Sequence, residues 1–109
     1  MHRIDPFIYV KAEKKMIKIL LKDILFMEGL KDYIKIYTAN GPVVTLQTLT
    51  YYTESLPADL FMRVHRSFIV AIIHIDSFSA TEINIGKNAI PIGSTYTKEV
   101  TQKLNPDLS

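Results

Sequence analysis

A chain of 109 residues, almost half of them hydrophobic and about a fifth charged, has the composition of a globular domain rather than a disordered segment. It lacks cysteine, which excludes disulfides and thiolate zinc sites, and neither a membrane-spanning apolar run nor a signal-peptide core is present. Thirteen Lys and Arg against eleven Asp and Glu leave a net charge of only +2, too little by itself to imply a polyanionic partner.

One domain is expected, with a core from about Phe7 to Leu104, flexible ends at 1–6 and 105–109, and a cytoplasmic location. The charge is unevenly placed. Residues 1–25 hold six Lys and Arg, and residues 60–75 hold two Arg and no acid, while acids gather between Glu28 and Asp59 and from Asp76 onward. Lys11, Lys14, Lys15, Lys18 and Lys22 read most simply as a solvated strand face.

Phe7 to Ala12 reads as a strand, Glu13-Lys14-Lys15 as a turn, and Met16 to Lys22 as a second strand, with Ile17, Ile19 and Leu21 on one face. A short apolar segment, Ile24 to Glu28, ends at Gly29. From Asp32 to Thr38 the pattern alternates, placing Ile34 and Ile36 inward and Tyr33, Lys35 and Tyr37 outward. Asn40-Gly41 supplies a tight hairpin turn, because both residues tolerate positive φ, and Val43 to Leu46 returns antiparallel. Pro42 fits only an edge strand or a strand's first residue. Leu49, Tyr52 and Leu56 lie at helical spacing after Thr48, a candidate N-cap, and before Pro57.

Phe61 to Val70 sets Arg63, His65 and Arg66 inside an otherwise apolar run. Cations in such a run require solvent or partners. The simplest geometry is two strands joined by a turn at His65-Arg66-Ser67, with a basic tip suited to an anion such as a phosphate backbone. Arg66 could alternatively pair with Glu82 or Asp76. Short strands follow at Ile75 to Phe78, Glu82 to Ile85 and Ala89 to Ile92. A closing helix from Thr95 to Leu104, capped by Ser94 or Thr95, presents Tyr96, Val100, Lys103 and Leu104 on one face. The whole is mainly β: elongated antiparallel sheets packed as a sandwich, with a short middle helix and a short C-terminal helix.

No Gly-rich phosphate loop is present, and His2, His65 and His74 make no metal pattern with nearby carboxylates. His65 and Ser67 lack an orienting acid, so nucleophilic catalysis is not expected, and neither is a cofactor. Glu28 and Asp32 around Gly29-Leu30-Lys31 read first as a β-turn with Asp32 capping its own backbone, and second as a ligand-contacting loop. Besides DNA binding, an interaction or dimerisation β module without DNA and a small ligand-binding β domain remain open.

The runs Ile24 to Ile36, Leu49 to Pro57, Phe61 to Val70, and Ile90-Pro91-Ile92-Gly93 with Tyr96 together resemble the LytTR DNA-binding domain of LytR/AlgR response regulators. The resemblance implies a β fold whose loops, not a recognition helix, enter double-stranded DNA, with paired direct repeats, a homodimer on DNA and an N-terminal receiver domain of a two-component phosphorelay as partners. This chain, having no room for a receiver, is expected to be an excised effector domain or a stand-alone regulator. The implied contact residues are Lys31, Asp32, Tyr33, Lys35, His65, Arg66, Ser67, Ser94, Thr95 and Lys98. The family usually has Asn where this chain has Ala71, and arginine where it has Ser94-Thr95, so a bidentate guanine reader is missing there.

Overall fold

A five-stranded antiparallel sheet covered on both faces forms the middle of the protein. The computed structural model describes residues 5–105; of the ends expected to be flexible, 1–4 and 106–109 lie outside the described residues, as does His2. The strands are β1 (Phe7–Ala12), β2 (Lys15–Leu20), β3 (Ile24–Gly29), β4 (Ile34–Thr38), β5 (Gly41–Thr45), β6 (Phe61–His65), β7 (Phe68–Ala71), β8 (Ser77–Phe78), β9 (Glu82–Ile85) and β10 (Asn88–Pro91). Helices α1 (Leu49–Ser55) and α2 (Thr97–Leu104) complete the set. The central sheet has the order β5-β4-β3-β7-β6, flanked by a β1-β2 hairpin and a β10-β9-β8 meander. The mainly β, antiparallel class and its two short helices agree with the sequence reading.

Strand alternation explains the layering. Met27, Ile34, Ile36 and Ile69 project to one face of the central sheet, against Val10 and Ile19 of the hairpin and Leu49, Tyr52 and Leu56 around α1. Phe26, Val64 and Val70 project to the other, against Ile83, Ile85, Ile90 and Val100. Burying each such aliphatic side chain stabilises the fold by about 2 kcal/mol. The second cover corrects one expectation: Tyr37 does not face solvent but stacks on Phe26, ring centroids 4.2 Å apart. Alternation separates two faces without saying which is wet, and the segment that dries this one lies some forty residues downstream.

Turns differ from expectation in detail. In the β4-β5 hairpin Thr38 pairs with Gly41, so Ala39 and Asn40 form the tip, and positive φ (111°) falls on Gly41 alone. The Thr38 hydroxyl donates to the Gly41 carbonyl at 2.6 Å and accepts from the Asn40 amide at 3.1 Å, which makes left-handed geometry at Asn40 unnecessary. Pro42 lies on the edge strand β5, as its missing donor requires. In the β1-β2 turn Glu13 and Lys14 both hold positive φ, 52° and 65°.

Thr48 caps α1, its hydroxyl accepting from the Tyr51 amide at 3.1 Å. Ser94 and Thr95 do not cap α2: Tyr96 occupies the N-cap without a side-chain bond, because the Tyr96 amide turns back onto the Gly93 carbonyl at 2.8 Å and starts the helix later. Val100 is buried and Tyr96 and Leu104 half-buried on the inner face of α2, whereas Lys103 is exposed rather than sharing that face. Ala71 is buried at the end of β7. The chain beyond it forms a 3₁₀ turn, Ile72–His74, tied down where His74 Nε2 donates to the Lys22 carbonyl at 2.6 Å.

Candidate nucleic-acid interface

The β6-β7 turn is the centre of the site. Arg63 pairs with Ile69 and His65 with Phe68, so Val64 is an extra, bulged residue. A bulge re-aims the side chains around it. Arg63 remains on the α1 side of the sheet, while His65 shares the opposite face with Phe68, ring centroids 5.6 Å apart. Arg66 and Ser67 form the turn itself. The Ser67 amide donates to His65 Nδ1 at 3.0 Å, which fixes the ring and leaves that nitrogen unprotonated. His65 is therefore a structural element of the turn.

Arg63, which the sequence reading left without a role, holds the same turn from the other side. Its Nε donates to the His65 carbonyl at 2.9 Å, Nη2 to the Arg66 carbonyl at 2.5 Å and Nη1 to Thr53 Oγ1 of α1 at 3.2 Å. The sequence signal was present, since a cation in an apolar strand needs partners. Its partners are carbonyls and a hydroxyl, which no charge pattern reveals.

Two backbone hydrogen bonds bring the neighbouring segments to this turn. The Gly29 amide donates to the Ser67 carbonyl and the Gly93 amide to the Val64 carbonyl, both at 2.8 Å. At both positions an added side chain would crowd a neighbouring one. A Cβ on Gly29 would lie 2.8 Å from Leu49 Cδ1, and one on Gly93 would lie 3.1 Å from Tyr96 Cδ2. After Gly29 the loop closes by a bond of 2.8 Å from the Leu30 amide to the Tyr33 carbonyl, leaving Lys31, Asp32 and Tyr33 exposed. Ser94 and Thr95 are exposed beyond Gly93. The three expected segments thus meet at one edge.

Lys31, Asp32, Arg66 and Ser67 line one open groove, whose other wall is Gln47 to Thr50 at the start of α1, a segment the sequence reading placed at a helix start but not in the site. Arg66 is exposed, and the alternative partners are not used: among the described residues the ion pair found is Lys22 with Asp5 at 3.3 Å, and Asp76 accepts from the Gly86 amide. Lys35 and Lys98 do not line the groove. Lys35 lies opposite Glu28 in a row that continues to Phe68 and His65. Its amine sits 5.0 Å from the Tyr37 ring centre, and the Tyr37 hydroxyl donates to Glu28 at 3.1 Å. Lys98 is exposed in the first turn of α2. Among the described residues no cluster of His, Asp and Glu could hold a metal ion, and no helix is long and apolar enough to cross a membrane.

The family model for the LytTr DNA-binding domain matches residues 14–105. The chain belongs to the LytTR family of DNA-binding domains. The sensory transduction protein LytT of Bacillus anthracis is 33% identical over 98 residues, which cover 84% of this chain and 40% of that protein. The transcriptional regulatory protein NatR of Bacillus subtilis is 40% identical over 73 residues, 67% of this chain and 31% of its own length. This LytTR domain therefore spans less than half the length of these curated relatives. A solved LytTr DNA-binding domain of a putative methyl-accepting/DNA response regulator from Bacillus cereus superposes with a TM-score of 0.79 over 91% of this chain and 96% of the other, at 20% identity, and so supports the LytTR fold. The resemblance carried by the Ile24, Leu49, Phe61 and Ile90 runs is borne out.

Proposed function

We propose that this LytTR domain binds double-stranded DNA sequence-specifically through its loop edge, as the effector of a bacterial transcriptional response regulator. The observation that carries the reading is the β6-β7 turn, hydrogen-bonded to Gly29 on one side and Gly93 on the other. Lys31, Arg66, Ser94, Thr95 and Lys98 are exposed and make up the proposed rim, while Arg63 and His65 bond within the turn. Arg66 is the base-edge or phosphate reader, Lys31 and Lys98 are point charges on phosphate, and Tyr33 packs on the sugar-phosphate backbone. Ser94 and Thr95 contribute short hydrogen bonds of low selectivity. Asp32 and Ser67 act through the shape of their turns, and Lys35 supplies positive potential behind the rim.

The domain is one folding unit from about Phe7 to Leu104, acts in the cytoplasm, and pairs with a second copy on direct repeats when an N-terminal receiver domain is phosphorylated. The test is an anisotropy titration of a labelled duplex, selected from a randomised pool, with wild type and Arg66→Ala. The substitution is expected to weaken specific binding by about 1–3 kcal/mol. Unchanged affinity would remove Arg66 from the interface, and no duplex binding by the wild type would favour an interaction module instead.

A further inference from the structure

We infer that Arg63 is the positioning residue of the proposed DNA-contacting turn: its guanidinium binds the turn's own backbone rather than DNA, and through it sets the direction of Arg66. The inference deepens the proposed function and rests on it.

Three consecutive carbonyls of the turn, those of His65, Arg66 and Ser67, all accept from protein donors: Arg63 Nε, Arg63 Nη2 and the Gly29 amide respectively. An unbonded carbonyl is the negative end of a peptide dipole, and three of them beside a phosphate would oppose its approach. Bonded internally, they leave the Arg66 side chain as the dominant charge of the tip. The third guanidinium nitrogen extends the arrangement. Nη1 donates to Thr53 Oγ1, that hydroxyl donates to the Leu49 carbonyl at 2.8 Å, and Leu49 packs against Gly29, whose amide bonds Ser67. The circuit closes from the turn through α1 to the Lys31 loop and back to the turn.

A base-reading side chain must be held within about 0.5 Å and 10–20° of its productive geometry. Lysine at position 63 keeps the charge but cannot reach three acceptors in a planar fork. The positioning role therefore predicts a loss of discrimination without a loss of phosphate contacts.

The experiment titrates fluorescein-labelled duplexes with wild type, Arg63→Lys, Thr53→Val and Arg66→Ala at several salt concentrations. One duplex is selected from a randomised pool by the wild type, and the other is a shuffled duplex of equal composition. Arg63→Lys is expected to lose about tenfold on the selected duplex while keeping its affinity for the shuffled duplex and its salt slope, whereas Arg66→Ala lowers the slope by about one. Thr53→Val, which keeps the two bonds from Arg63 to the turn, loses less in the same direction. Wild-type discrimination in Arg63→Lys overturns the inference, as does an equal loss on both duplexes with a reduced slope, the mark of a direct phosphate contact. If Arg63→Lys does not fold, unchanged discrimination in folded Thr53→Val overturns it. An Arg66→Ala protein that binds both duplexes like wild type overturns the turn-tip reading itself, a result distinct from the failure of Arg63 alone.

Discussion

Arg63 and Arg66 lie three residues apart and have opposite fates because of one bulged residue. With Val64 inserted, Arg63 stays on the α1 face, where carbonyls and a hydroxyl satisfy it, and Arg66 emerges exposed at the tip. Arg63→Ala and Arg66→Ala are accordingly predicted to separate in stability. The former strips two carbonyls of their donor and lowers stability by about 1–3 kcal/mol in denaturant unfolding; the latter stays within about 0.5 kcal/mol of wild type. Tyr52 gives a second prediction at this scale. Burial, together with neighbouring Tyr51, raises its phenol above the ordinary value. The folded protein then holds the proton more tightly than the unfolded chain, so this contribution is complete below about pH 10 and is lost as pH rises above it. Tyr52→Phe is expected to flatten the alkaline decline of the melting temperature, and an identical decline in the variant would assign it to other groups.

At the scale of elements, the β1-β2 hairpin carries visible strain. Two adjacent left-handed residues match the twist of a two-residue hairpin, yet they are Glu13 and Lys14 rather than Asn-Gly. Replacing them by Asn and Gly is predicted to stabilise the domain by about 1 kcal/mol, a rise of roughly 5 °C in Tm. A lower Tm would mean that the two side chains make contacts worth more than the strain. The same comparison shows what was legible in sequence. Period-two alternation located β2 and β4, and Thr48 with Leu49 and Tyr52 located α1, because these signals are local. The tip of the β4-β5 hairpin was misplaced by one residue because a Thr38 hydroxyl clasp competes with Asn40 for the turn. The dry face behind Tyr37 and the partners of Arg63 come from distant segments, and no local pattern encodes them.

Although the net charge of the whole molecule is only +2, the proposed interface draws on a local set of cations. Lys31, Lys35, Arg66 and Lys98 offer up to four cations, so the logarithm of specific DNA affinity is predicted to fall with log salt at a slope of about −3 to −4. A flat dependence would exclude phosphate neutralisation by this set. Both cores adjoin the turn: Leu49 of α1 packs against Gly29 on one side of the central sheet, and Gly93 bonds Val64 on the other. The measurement that bears most directly on the loop-edge interface is amide chemical-shift mapping of the 15N-labelled domain titrated with its selected duplex. The account predicts perturbations concentrated at residues 30–33, 66–67 and 93–98, with β1 and β2 unmoved. Perturbations centred on the β1-β2 hairpin, with the three loops unchanged, would contradict it.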